Sequence, residues 1–410
     1  MTEQPPVTFA DIERASEQLA ASGVIKSTPV VRPNSLDAMF ETDELVLKLE
    51  HLQRTGSFKP RGAYNKIQRL IETEDVDDVI AASAGNHAQG VALAATKLGV
   101  DATVVMPKTA PQTKVEATRN YGASVELVGK DFRTATEYAL ELAEEIDGEF
   151  VHAYDDPDIV AGQGTLGVEM YEDCPAVDTV VVPIGGGGLI GGIATAFAEL
   201  RPETKIVGVQ ATGAQTVLDS LDKGSPQTLD SVDTIADGIA TGGISELTLS
   251  IIQRHVDEVV TVTDAEIVDA ILLLMERAKQ VVEGAGAASV AALLGDELDA
   301  AGETVMPLLC GGNLDMTMLN EVVVHALARR TQILRLRVHI HDRPGKMTEL
   351  SGIIADHDAN IQTVRHDRAL EGLSVGEAYL TFQIETSGAE HAAAIVDSIE
   401  AAGYDTVLVN

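Results

Sequence analysis

Between residues 79 and 145 the chain alternates short apolar runs with longer segments whose apolar positions recur at helical spacing. The runs at 79–82, 103–106 and 124–127 read as buried strands, and the segments at 60–71, 87–97, 113–121 and 134–145 as helices. Strands that alternate with helices imply a parallel sheet covered on its faces. The same pattern returns later, with strands expected at 180–183, 206–209, 258–262 and 305–309. Between the last two, 264–282 reads as a helix, with Asp264 as N-cap ahead of the periodic Ile267, Ile271, Leu274 and Ala278. Beyond a helical stretch at 318–330 the rhythm changes. Residues 334–340 alternate strictly between apolar and polar, as a sheet with one solvated face requires. A helix at 346–357, strands at 361–365 and 377–384, a helix at 390–402 and a strand at 406–409 complete a β-α-β-β-α-β order, which is ferredoxin-like α+β.

This divides the chain into an α/β domain at 1–322, a linker at 323–332 and a small terminal domain at 333–410. Inside the first, 52–152 forms a smaller subdomain, while 1–51 and 153–322 together form the larger one. A site is expected in the crevice between the two sheets.

Three strand-to-helix junctions carry the chemistry. Ser57-Phe58-Lys59-Pro60-Arg61-Gly62 follows the strand-like run 45–50. An ammonium at the positive end of a helix is disfavoured, so Lys59 more readily gives the free amine that Schiff-base chemistry needs. Ser83-Ala84-Gly85-Asn86-His87-Ala88-Gln89-Gly90 follows a buried strand, and its small residues leave backbone N–H groups free to hold a carboxylate. Gly185-Gly186-Gly187-Gly188-Leu189 allows close approach of a phosphate to a helix terminus. Taken singly, each has an ordinary reading as a surface lysine, a turn or a nucleotide loop.

Together with Thr234-Ile235-Ala236-Asp237-Gly238, Glu283-Gly284-Ala285-Gly286-Ala287 and Cys310-Gly311-Gly312-Asn313, they resemble the pyridoxal-phosphate enzymes of the tryptophan synthase β fold type (fold type II). The likeness is greatest to the threonine/serine ammonia-lyases, or threonine dehydratases. The terminal region, with Asp342-Arg343-Pro344-Gly345 and Asn360-Ile361, resembles an ACT domain, a small amino-acid-sensing module. His339 and His341 share a strand face there and read as solvated groups rather than as a metal site.

The resemblance implies roles residue by residue. Lys59 would carry pyridoxal 5′-phosphate as a Schiff base and, once released, take the substrate Cα proton. Phe58 would pack beside the ring and Asn86 would hydrogen-bond its 3′ oxygen. Gly185, Gly186, Gly187, Gly188 and Leu189 would hold the phosphate, and Cys310 would face the pyridine nitrogen. Gly238 and Glu283 would line the pocket. Ser83, Ala84, Gly85, Asn86 and His87 would receive the substrate carboxylate, with Ser83 gripping it. A neutral thiol at the ring nitrogen makes a shallower electron sink than a carboxylate would provide, which favours β-elimination. Threonine would then give 2-oxobutanoate and ammonia, and serine would give pyruvate.

Two departures narrow the reading. Ala84 stands where serine racemases carry a second acid/base serine, so racemisation is expected to be poor. Neutral Gln210 stands where they bind a divalent cation through glutamate, so no divalent metal is expected there, while a monovalent cation site stays open. Serine racemase or serine dehydratase activity, cysteine or threonine synthase activity, and a non-catalytic amino-acid sensor are the rivals. The terminal module implies control by isoleucine or valine, and its edge strands favour a homo-oligomer, a dimer or tetramer.

Composition sets the outer limits. The chain has 410 residues with 29 basic and 64 acidic side chains, a net charge of −35. Such a surface disfavours nucleic acid and anionic membranes. No basic-then-apolar leader opens the chain, which predicts a cytoplasmic protein, and Cys174 and Cys310 are too few for a disulfide framework. The acid is spread over helix faces, as at Glu137, Glu141, Glu144 and Glu145, so like-charge repulsion should be relieved by salt. Adaptation to high salt follows, with a thermal midpoint expected to rise from dilute buffer to molar salt. A midpoint as high in dilute buffer removes that reading.

Overall fold

The computed structural model describes residues 5–74, 76–295, 297–369 and 373–409. The chain separates into two compact units, 1–315 and 316–410. The boundary expected at 322 falls inside a helix, Met316–Arg329, which packs within the second unit and occupies most of the expected linker.

The first unit is built on two parallel sheets. One runs in the order Ser124–Leu127, Asp101–Met106, Asp78–Ala82, Glu149–Phe150. The other runs Glu258–Val262, Lys205–Ala211, Thr179–Pro183, Thr304–Pro307, Glu44–Leu45. The central strands bury both faces, as continuous apolar runs in helix-covered sheets must: every residue of Thr179–Pro183 is buried. Helices Pro60–Glu74 and Asn86–Leu98 cover the smaller sheet through Ala63, Ile67, Val91 and Ala95.

Local chemistry sets the element ends, and in three places it differs from the pattern-based expectation. The run at 45–50 is not one strand. Glu44–Leu45 joins the five-stranded sheet, and Leu47–Lys48 pairs antiparallel with Val30–Val31 before a 3-10 turn, Glu50–Leu52. The helix expected to start behind Asp264 is capped instead by Thr263. Its hydroxyl accepts from Glu266 N while the Glu266 carboxylate accepts from Thr263 N at 2.6 Å, a reciprocal capping box. Asp264 is thereby released to bind Thr234 Oγ1 at 2.6 Å and Ile235 N at 3.1 Å, which ties down the segment leading to Gly238. That helix also stops short of 282, because Asp264–Leu273 passes into a π-helical turn, Leu274–Ala278, and Lys279 takes a left-handed φ of 58°.

The second unit carries a four-stranded antiparallel sheet in the order Asn360–Asp367, Glu377–Glu385, Ile333–His341, Thr406–Leu408. Leu334, Leu336, Val338 and Ile340 face inward onto helices Lys346–Ala355 and Ala389–Ala401 through Leu350, Ile354, Ile395 and Ile399. The alternate positions Arg335, Arg337, His339 and His341 lie on the other face. The order of elements is the expected β-α-β-β-α-β. His339 there approaches Glu377 at 3.5 Å. Among the described residues no helix is long and apolar enough to cross a membrane.

Candidate functional site

Three strands of the first unit end at one place. Asp78–Ala82 runs into the serine-asparagine turn, Thr179–Pro183 into the glycine turn, and Thr304–Pro307 into Cys310, so their C-terminal ends share a crevice. Lys59 stands immediately before helix Pro60–Glu74, where proline at the first helical position costs no backbone hydrogen bond. The neighbouring helix Asn86–Leu98 abuts it: a Cβ on Gly90 would lie 3.0 Å from the Lys59 carbonyl carbon and Cβ, a tight approach that glycine eases.

Lys59 Nζ donates to the Ala153 carbonyl at 3.1 Å and lies 5.0 Å from the Phe58 ring centre. The side chain keeps some surface, yet its amine is enclosed by the protein. Burial pulls its pKa down to about 8, against smaller upward pulls from Cys310 and Glu283. Burial, more than the helix end, is therefore what frees the amine. Near pH 7.5 about a quarter of such amines are unprotonated, against about one in a thousand at the ordinary lysine value.

Opposite stands Cys310, buried, with Sγ donating to the Ala285 carbonyl at 3.4 Å. Burial and Glu283 raise the thiol far above its ordinary range, so it stays neutral. Glu283 is pushed up to about 7 by burial and accepts from Asn86 Nδ2 at 2.7 Å. The Asn86 amide has a second N–H that can reach a further acceptor. Its Oδ1 accepts from Asn313 Nδ2, also at 2.7 Å. Gly238 joins this wall, since a Cβ there would stand 3.0 Å from Glu283 Oε1.

The glycine turn closes the other side. Gly187 takes φ +90°, a left-handed conformation favoured by glycine, and opens the thirteen-residue helix Gly188–Leu200 without a side-chain cap. The first N–H groups of that helix have no intrahelical partner, and its positive end favours an anion. Leu189 is buried in this first turn, and the Tyr154 ring covers Gly186. Tyr154 adjoins Ala153 and stacks edge-on against His152 at 4.7 Å.

In the third segment Ser83 Oγ accepts from Gly85 N at 3.1 Å, and Ser83, Ala84, Gly85 and Asn86 all retain accessible surface. His87 differs. Its ring is buried and bonded to the Val151 carbonyl at 2.9 Å, and burial holds its pKa down to about 3. Its side chain is committed to the interior, and only its backbone remains for the substrate contact expected of it. Gln210 likewise serves its own loop: Oε1 accepts from Thr216 N and Val217 N at 3.0 and 2.9 Å. Among the described residues no group of three or more His, Cys, Asp or Glu is placed to hold a metal.

Three contributors are not apparent from the sequence. Asn313 shows there only as the end of a motif, the Ala153 carbonyl is a backbone acceptor with no side-chain signature, and the Tyr154 ring falls outside every motif. The ion-pair network next to Lys59 is equally hidden. Arg61, 1% exposed, forms bonds of 2.7 and 3.0 Å to Glu50 and 2.6 Å to Glu169, while Lys48, 0% exposed, binds Glu169 and Asp173 at 2.7 Å each.

Comparison with known proteins accords with this geometry. A family model described as pyridoxal-phosphate-dependent enzyme matches residues 21–311. The L-threonine ammonia-lyase of Thermotoga maritima is 43% identical over 403 residues, covering 98% of this chain and all of its own. Among solved structures, the processed form of threonine deaminase isoform 2 from Solanum lycopersicum superposes with a TM-score of 0.71 at 36% identity, over 79% of this chain and 90% of that one. Maize serine racemase gives 0.73 at 34% identity, over 79% and 99%. The first unit thus has the tryptophan synthase β-like fold of this family.

Proposed function

The chain belongs to the pyridoxal-phosphate-dependent enzyme family, and from that premise we propose that it is a threonine ammonia-lyase that converts L-threonine to 2-oxobutanoate and ammonia, with L-serine as a second substrate. The observation that carries the reading is the Lys59 amine, brought near its free-base range by burial and held at the Ala153 carbonyl beside the Phe58 ring. The residues present fit the cofactor. An uncapped helix terminus behind four glycines suits its phosphate, the spare Asn86 N–H suits an oxygen on its ring, and the neutral Cys310 thiol suits an unprotonated pyridine nitrogen.

Bound there, pyridoxal phosphate supplies an electron-withdrawing ring that acidifies the substrate Cα–H and lets the β-hydroxyl leave. The rest falls to the chain. Ser83 and the N–H groups of Ala84, Gly85 and Asn86 hold the substrate carboxylate. The Lys59 amine accepts the Cα proton at Nζ, a role for which a pKa of about 8 is well matched. The thiol of Cys310 bonds Ala285 and lends no proton to the ring, which limits the electron sink and favours elimination over reprotonation. Water leaves from Cα and Cβ, and hydrolysis of the released product returns it as ammonia departs.

Ala84 beside the substrate has no side-chain proton to deliver, which argues against racemisation despite the likeness to serine racemases. The second unit is read as an ACT domain that binds isoleucine or valine, on the strength of its β-α-β-β-α-β order and the Asp342-Arg343-Pro344-Gly345 turn. Control of that kind needs an effector with different affinities for two states, and the chain is read as a cytoplasmic homo-oligomer. Threonine saturation curves, followed by 2-oxobutanoate release with and without each amino acid, test both claims. Threonine is expected to turn over, and isoleucine to raise the half-saturating concentration. No 2-oxobutanoate would remove the activity, and superimposable curves would remove the regulation.

A further inference from the structure

Asn86 is an amide, and an amide can present either an N–H or a carbonyl to a given neighbour; which one it presents decides whether it can serve an anionic oxygen. Resting on the reading of Asn86 as the amide that faces the cofactor, we propose that Asn313 is a positioning residue that locks Asn86 with its N–H groups toward Glu283 and the cofactor ring. The lock begins at a group that cannot change role. The Thr55 backbone carbonyl accepts from Asn313 Nδ2 at 2.7 Å, and the same nitrogen donates to Asn86 Oδ1 at 2.7 Å. Both N–H groups of Asn313 are then spent on oxygens. Reversal of the Asn313 amide would set its own oxygen against two others.

With Asn86 Oδ1 held in this way, Asn86 Nδ2 is directed to Glu283 Oε1 at 2.7 Å. Donation therefore runs one way, from Asn313 to Asn86 and on to Glu283. The backbone keeps the three in register. Glu283 N donates to the Gly311 carbonyl at 3.2 Å, Gly312 N to the Gly56 carbonyl at 2.8 Å, and Ser57 bridges Gly311. Asn313 is thus bonded to the loop that carries Lys59, and it couples that loop to the turn that carries Asn86.

The test compares Asn313→Asp and Asn313→Ala with the unaltered holoenzyme and with Asn86→Ala. The readouts are pyridoxal phosphate affinity, the pH titration of its bound visible absorbance and the thermal midpoint. Asn313→Asp presents acceptors where donors stood. It is expected to weaken cofactor affinity about tenfold or more and to move the spectral titration by about one pH unit. Asn313→Ala, which removes the donor without adding charge, should move both the same way by less. Added to Asn86→Ala, either change should have little further effect, because both act through one amide. Variants that bind cofactor and titrate as the unaltered protein does, with only a lower thermal midpoint, would overturn the proposal and leave Asn313 a scaffold residue. An unaltered protein with no visible band would instead overturn the cofactor reading of the site.

Discussion

Lys59→Ala is expected to reduce threonine turnover by about a thousandfold or more, because in the proposed mechanism it removes both the amine that would join the cofactor and the base that would take the Cα proton. The loss should not come from unfolding. The ammonium of Lys59 is desolvated, and its hydrogen bond runs to a single backbone carbonyl, Ala153 at 3.1 Å. Its removal relieves a buried charge, so the thermal midpoint should hold or rise. Turnover assay and thermal unfolding of the same preparation separate the two effects. Loss of activity with a collapsed midpoint would mean that Lys59 is structural.

Arg61→Ala is expected to act in the opposite sense, costing about 3–5 kcal/mol of stability by stripping a buried carboxylate of its partner. Glu50 is 0% exposed and meets Arg61 through two bonds, and Glu169 is shared between Arg61 and Lys48. Burial alone would raise the Glu169 pKa, but Arg61 and Lys48 together outweigh it and hold it down to about 2. A carboxyl lowered in the folded state contributes stability that is complete above its unfolded value near 4.5 and is lost as pH falls toward 2. Urea unfolding should show a lower midpoint for the variant and a shallower acid limb between those pH values. Arg61→Met combined with Glu50→Leu should regain much of the loss, since apolar packing tolerates this space better than one unpaired charge does. An Arg61→Ala midpoint within error of the unaltered protein would show that the network contributes nothing.

Much of the fold was legible because apolar periodicity records burial directly. The strands Asp78–Ala82 and Thr179–Pro183 read as apolar runs because helices cover both their faces, and the alternation of Ile333–His341 reads cleanly because one face is solvated. Glycine and small-residue turns were legible for a similar reason, since few other residues permit those backbone paths.

What was hidden involves groups whose partners lie far away in sequence. Lys48 and Glu50 look like the solvated face of a strand until Glu169 and Arg61 arrive from elsewhere to pair them. Asp264 and Thr263 are equally good caps on paper. Thr263 takes the cap while Asp264 binds Thr234 and Ile235, about thirty residues upstream, a pairing the local sequence does not reveal. His87 reads as a polar turn residue, and only the tertiary position of Val151 shows that its ring is a buried donor to a carbonyl.

One buried amine, on Lys59, is proposed to form the covalent link to pyridoxal phosphate. Borohydride reduction of the holoenzyme followed by peptide mapping decides the matter. A single reduced pyridoxyl adduct is expected on the peptide that contains Ser57-Phe58-Lys59-Pro60-Arg61. An adduct on any other side chain, or none at all, would contradict it.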